Sequence, residues 1–185
     1  MIYPIVAYGD PVLKKRAEEI AEGSIDVKTL AEDMFETMYN ANGVGLAAPQ
    51  IGKSIRMFVV DGREMEDTDE DMSDFKKVFI NPEIIEEEGS LWVFEEGCLS
   101  IPGIREDVQR KPKLVINYLD LDFNEIEETY EGVKARIIQH EYDHIEGVLF
   151  TDKLSSFKRR LLKGKLNNIS KGVTDATYKM KFIKT

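Results

Sequence analysis

The chain contains two histidines, and they stand four residues apart in His140-Glu141-Tyr142-Asp143-His144. In 185 residues, two histidines placed at random fall at that spacing about once in a hundred times. At about 100° per residue, a helix sets His140, Glu141 and His144 on the same arc as Val133, Ile137, Ile138 and Ile145. The arc with the polar groups is therefore also the apolar, buried one. Buried imidazoles and a buried carboxylate are costly unless satisfied, and a metal ion with its bound water satisfies all three. The plainer alternative is a pair of core histidines bonded to backbone. The segment demands a helix buried on one side, and its pattern is that of a metal-dependent hydrolase.

The number of ligands narrows the site. A closed structural zinc site needs four Cys or His donors, and this chain has three in total, so the site is open unless a carboxylate or a second chain closes it. Metalloproteases with two histidines on such a helix recruit a downstream Glu, yet no Glu follows Glu146. Others place a third His six residues after the second, where this chain has Phe150. The remaining soft donor is Cys98, in Glu95-Glu96-Gly97-Cys98-Leu99-Ser100-Ile101-Pro102-Gly103 at the end of a predicted strand. Alone, one cysteine is more often a small buried hydrophobe; beside an open two-His site it becomes the candidate third ligand.

Around this helix the chain alternates element types without repeats. Val27, Leu30, Ala31, Met34, Phe35 and Met38 recur at helical spacing after Asp26, with Asn42 and Gly43 placed to end the run. A second helix is predicted from about Tyr130 to Glu146, stopped by Gly147, and a third from Ser155 to Asn168. Residues 55–60, 77–80, 90–94 and 113–119 are rich in β-branched and aromatic types and read as strands. They lack the regular helical crossovers of a parallel sheet. The expected class is α+β, with antiparallel β-sheets around a central metal-binding helix, an N-terminal helix and a C-terminal helix. Residues 1–185 are expected to form one catalytic domain, since nothing marks a boundary. The tail after Gly172 carries no pattern that assigns it.

Other features exclude functions. A net charge of -10 disfavours general binding to nucleic acid or anionic membranes. The chain begins without a signal-peptide pattern, no run approaches transmembrane length, and the single cysteine fits a reducing compartment, so a cytoplasmic location is expected. Between Asp61 and Asp74 lie eight acidic residues and one basic. Asp67, Asp69 and Asp71 have EF-hand spacing, but Met72 replaces the turn glycine and Val78 the bidentate Glu, so the segment reads as a solvated, mobile loop. Gly43-Val44-Gly45-Leu46-Ala47-Ala48 imitates a dinucleotide fingerprint, but it follows a helix and precedes Pro49. It reads as a small-residue loop able to approach another chain closely and ending in the amide of Gln50. The basic stretch from Phe157 to Lys163 reads as a solvated helix face.

Three segments together resemble one family. Gly43-Val44-Gly45-Leu46-Ala47-Ala48-Pro49-Gln50, Glu96-Gly97-Cys98-Leu99-Ser100 and Gln139-His140-Glu141-Tyr142-Asp143-His144 are similar to the three signature motifs of the peptide deformylases, in the family's order. The resemblance runs from Tyr8-Gly9-Asp10-Pro11-Val12-Leu13 to Phe150, and Ile145 stands where the family usually has Leu. It implies an enzyme that removes the formyl group from the N-terminal formylmethionine of newly made polypeptides and releases formate. By the same resemblance Cys98, His140 and His144 bind one divalent metal, Fe2+ in most of the family, with Zn2+, Ni2+ or Co2+ able to replace it. Glu141 takes a proton from the activated water and later gives one to the leaving amine. The Gln50 side-chain amide and the Leu99 backbone N–H join the metal in stabilising the formyl oxygen.

The family likeness also makes Val44, Val133 and Ile137 candidate walls of a methionine pocket, beside their reading as core. Substrate backbone is implied to pair as an added strand with Val44, Gly45, Leu46 and Gly97, and Arg105 is carried over as a substrate contact. A cotranslational role makes ribosome contact through the basic C-terminal helix reasonable. Two other readings fit the residues alone: a different metallo-amidase or aminopeptidase with the same helix, and a metal-stabilised binding module without activity.

Overall fold

The computed structural model describes residues 1–183. Strand β1 (Ile5–Val6) is followed by helix α1 (Val27–Asn40), whose buried face is Val27, Leu30, Ala31, Met34 and Met38. Asp26 caps it, its carboxylate accepting from the Thr29 amide at 3.1 Å. Next come strands β2 (Gly45–Ala47), β3 (Met57–Asp61), β4 (Lys76–Glu88), β5 (Trp92–Cys98), β6 (Ile101–Arg110), β7 (Lys113–Leu119) and β8 (Glu125–Glu131). Helix α2 (Gly132–Ile145), helix α3 (Ser156–Ser170) and strand β9 (Met180–Lys181) complete the order.

The class is α+β, as expected. A five-stranded sheet runs β2-β3-β4-β7-β8 with antiparallel pairings, β5 and β6 form a separate antiparallel hairpin, and β1 pairs with β9 in parallel. Helix α2 packs across β2, β3, β7 and β8. Its apolar arc joins a core containing Phe58, Phe79, Leu114, Ile116, Val133, Ile138 and Ile145. Among the described residues no helix is long and apolar enough to cross a membrane.

Several elements differ from the sequence expectation. The strand expected at 77–80 is the start of a 13-residue β4, which continues past Asn81 and Pro82 through shifts in register. Asn81 adopts φ 48°, and its side-chain amide holds both the N–H and the C=O of Ile20, at 2.8 and 2.9 Å. Helix α2 begins at Gly132 (φ 61°) rather than Tyr130, because β8 runs through Glu131 and the chain turns there into the helix. Strands β6 and β8 are absent from the sequence expectation, since Ile101–Arg110 and Glu125–Glu131 alternate apolar residues with charge. The small-residue segment expected as a loop contains β2. The acidic stretch is not simply a solvated loop: Met72 is buried, and the Glu70 carboxylate accepts from the Val133 amide at 2.8 and 3.0 Å, capping α2. The tail after Gly172 returns along β1 to form β9.

Candidate metal centre and active-site cleft

Three elements converge on the site. Helix α2 carries His140, Glu141 and His144, the β5–β6 hairpin carries Cys98, and the turn after β2 carries Gln50. The donor atoms of Cys98, His140 and His144 all lie within 4.8 Å of one another, and Cys98 Sγ is 3.4 Å from His144 Nε2. Donors about 2.0–2.3 Å from one ion stand about 3.3–3.7 Å apart in a tetrahedron, so the set fits a single metal. His140 Nδ1 is taken by Glu96 Oε1 at 2.9 Å, which leaves Nε2 for an ion. Burial holds His144 well below its ordinary pKa, which favours the neutral ring a ligand requires.

Behind the donors lies a charged scaffold that the sequence did not reveal. Glu96 is buried and takes Arg110 on both oxygens, at 2.7 and 2.9 Å, with Arg136 Nη1 at 2.9 Å on Oε2. Arg110 also reaches Asp143 at 2.7 Å, and Arg136 donates to the carbonyls of Val108 and Trp92. Burial alone would raise the Glu96 pKa; its hydrogen bonds to Arg110 and His140 outweigh that and hold it well below the usual carboxylate range. Arg136, four residues before His140 on the apolar arc, is the one visible sign of this cluster in the sequence.

Glu141 is different. Its Oε2 is buried with no hydrogen-bond partner among the described residues, and burial pushes its pKa up to about 7. It packs on Gly45, where a methyl would stand 2.8 Å from the Glu141 Cγ and Cδ. Gln50 Oε1 accepts from the Ala47 amide at 2.9 Å, which turns Nε2 toward Cys98 Sγ at 3.5 Å and Ser100 Oγ at 3.2 Å. A buried carboxylate that can exchange a proton, an amide donor and the Cys98 and His140 donors thus line one cleft of about 1440 Å³, with His144 buried behind them.

The cleft is lined by Val44, Gly45, Gly97, Leu99, Arg105, Val133 and Ile137 of the residues expected at the substrate. Leu46 is not brought there. Its side chain is fully buried in the core, and strand alternation directs its backbone groups to β3, with Gly45 facing the open edge of β2. Arg105 is exposed and paired with Glu95 at 2.8 Å. Two further contributors are not foreseen in the sequence: the acidic segment, through Glu64 to Asp67, and the tail, through Asp175 to Tyr178. Neither has a local signature, since each reaches the cleft only through tertiary contacts.

An α+β fold with a three-donor Cys/His cluster and a free buried carboxylate in a cleft defines a hydrolase built on a candidate metal centre. The family model described as polypeptide deformylase matches residues 2–160. The chain belongs to that family, and is therefore a hydrolase of protein biosynthesis acting on formylated peptides. The peptide deformylase of Cytophaga hutchinsonii is 62% identical to it over 182 residues, 98% of each chain. That of Christiangramia forsetii is 56% identical, covering 98% of this chain and 96% of its own. The solved peptide deformylase of Thermus thermophilus superposes with a TM-score of 0.82 at 42% identity, covering 93% of this chain and 99% of that one. The Plasmodium falciparum structure gives 0.82 at 34% identity, with 91% and 95% covered.

Proposed function

We propose that residues 1–185 act as one catalytic domain that removes the formyl group from N-formylmethionyl nascent chains in the cytoplasm by metal-assisted hydrolysis. The observation that carries this reading is the unpartnered, buried Glu141 carboxylate beside the Cys98, His140 and His144 donors. A divalent ion held there, Fe2+ first and Zn2+, Ni2+ or Co2+ as substitutes, supplies Lewis acidity toward water and the formyl oxygen. Glu141 accepts the proton of the attacking water and returns one to the leaving amine, a role suited to a carboxyl poised near 7. The Gln50 Nε2 amide and the Leu99 N–H donate to the formyl oxygen as charge builds on it. Substrate backbone adds to the open edge of β2 at Gly45 and to Gly97, and the methionine side chain packs against Val44, Val133 and Ile137. Arg105, on the rim, meets the chain beyond the methionine. The exposed basic residues Arg159 and Arg160 of α3, beside exposed Phe157 and Leu161, support a ribosome contact.

The test is formate release from a formyl-Met tripeptide by anaerobically prepared, iron- or nickel-loaded protein. Formate is expected from the wild type, and Glu141→Ala should lose turnover while retaining metal. Absence of formate, or cleavage of unformylated peptides instead, would overturn the reading.

A further inference from the structure

A hydrogen bond ties the C-terminal tail to the catalytic hairpin. The Tyr178 hydroxyl donates to the Leu99 carbonyl at 2.7 Å. Leu99 and Ser100 are the two residues of the turn joining β5 to β6, across which Cys98 pairs with Ile101. That turn is tied at two other points: the Ser100 carbonyl accepts from the Tyr8 amide at 2.9 Å, and Ser100 Oγ accepts from Gln50 Nε2 at 3.2 Å. Tyr8 and Tyr178 are set by the same clasp, because the Ile5 and Ala7 amides donate to the Lys179 and Lys181 carbonyls, each at 2.9 Å.

A four-residue turn has one soft degree of freedom. Its two commonest forms differ by a flip of the central peptide, about 150° in ψ of the second residue. Here the central peptide is Leu99–Ser100, and its carbonyl is the one Tyr178 holds. Leu99 carries that carbonyl and the candidate donor N–H on the same Cα, and Ser100 is held by Tyr8 and Gln50, so releasing the carbonyl frees the Leu99 backbone rotations that set where its N–H points. Burial pushes the Tyr178 phenol up to about 12, so it remains a donor across the neutral range. Asp175 to Tyr178 also form part of the cleft wall.

We propose that Tyr178 is a positioning residue, whose hydroxyl locks the Leu99–Ser100 peptide and so keeps the Leu99 N–H aimed at the substrate's formyl oxygen. The tail is then part of the active site, although the family match ends at residue 160. This inference rests on the deformylase reading and deepens it.

The experiment is Tyr178→Phe in the full chain, loaded with nickel, with kcat, KM, metal content and thermal midpoint compared with wild type on a formyl-Met tripeptide. Amide hydrogen exchange at Leu99 and Ser100 is followed in the same samples. Removing an oxyanion donor costs roughly 10²–10³ in kcat, so misalignment of one should cost on the order of tenfold. The expected result is that loss with KM within about twofold, equal metal content and faster exchange at Leu99 and Ser100. Wild-type kcat with unchanged exchange would overturn the proposal. So would loss of metal or unfolding, since Tyr178 would then be a structural tie. If the wild type itself releases no formate, the deformylase reading fails, while the exchange at Leu99 still reports whether Tyr178 holds the turn.

Discussion

Gly45 lacks a side chain because Glu141 occupies the space where one would go. The glycine matters for this close approach more than for backbone freedom, since its φ is not in the left-handed region. Gly45→Ala should therefore leave the fold and metal content near wild type while pushing the Glu141 carboxyl aside. General-base catalysis contributes roughly 10²–10⁴ in rate, so a fall in kcat of about a hundredfold is expected. Wild-type kcat in that variant would show that the Glu141 position is not critical. Glu96 acts one layer further out. It fixes His140 through Nδ1 and is the common acceptor of two buried guanidinium groups. Glu96→Gln removes the charge but keeps the shape, and metal affinity should fall about 10–100-fold, as for other partners of ligating histidines. Competition with a chelator measures it, and an unchanged dissociation constant would show that the Glu96 charge does not tune the donor.

At the scale of elements, α2 depends on a residue 62 positions upstream of its first residue. Its N-terminus has no capping side chain of its own, and Glu70 supplies one by accepting from the Val133 amide. Helix caps are worth about 1 kcal/mol, and a carboxylate there also meets the positive end of the helix dipole. Glu70→Ala should lower stability by about 1 kcal/mol, or about 2–4 °C in thermal midpoint for a chain of this size. A midpoint equal to wild type would mean that water caps α2 equally well. This contact also shows where legibility stopped. Helices α1 and α2 are readable because their apolar positions repeat at helical spacing, and β7 because Leu114, Val115, Ile116, Tyr118 and Leu119 crowd apolar, β-branched and aromatic residues into one run. Strands β6 and β8 instead alternate, with Arg, Glu and Asp on the outer face, which a search for apolar runs passes over. Likewise His140, His144 and Cys98 announce themselves by chemistry. Arg110 does not, and Arg136 does so only by its place on the apolar arc, since a buried ion pair is recognisable only once the fold has brought both partners together.

For the whole molecule, acid stability sets two electrostatic effects against each other. With 35 acidic and 25 basic residues the protein is strongly negative at pH 7, and lowering the pH toward its isoelectric point near 4.8 relieves that repulsion. Most of those charges are exposed and screened beyond about 10 Å at 0.1 M salt, so the gain is small. Against it stand carboxylates whose pKa values fall on folding. Glu96 lies well below the ordinary range, and Asp61, which burial would raise, is held near 2 by Arg63 and the Tyr39 hydroxyl. The sign follows from proton binding: the unfolded chain protonates these groups near pH 4, the folded one only at lower pH. Their stabilisation is thus present above the ordinary carboxylate pKa and is lost as pH falls toward the depressed values. Glu96 should dominate, because protonating it removes the charge shared by two buried guanidinium groups, and breaking a buried pair costs up to about 3–5 kcal/mol. Between pH 7 and about 4.5 two buried groups act in opposite directions as pH falls, the raised Glu141 favouring the folded state and the depressed His144 opposing it. Below that window the urea midpoint of the metal-free protein should fall steeply toward pH 2. Glu96→Gln should begin lower and fall less, because its largest titrating contribution is already gone. Parallel curves for the two proteins would assign the acid transition to the exposed carboxylates and refute a leading part for Glu96.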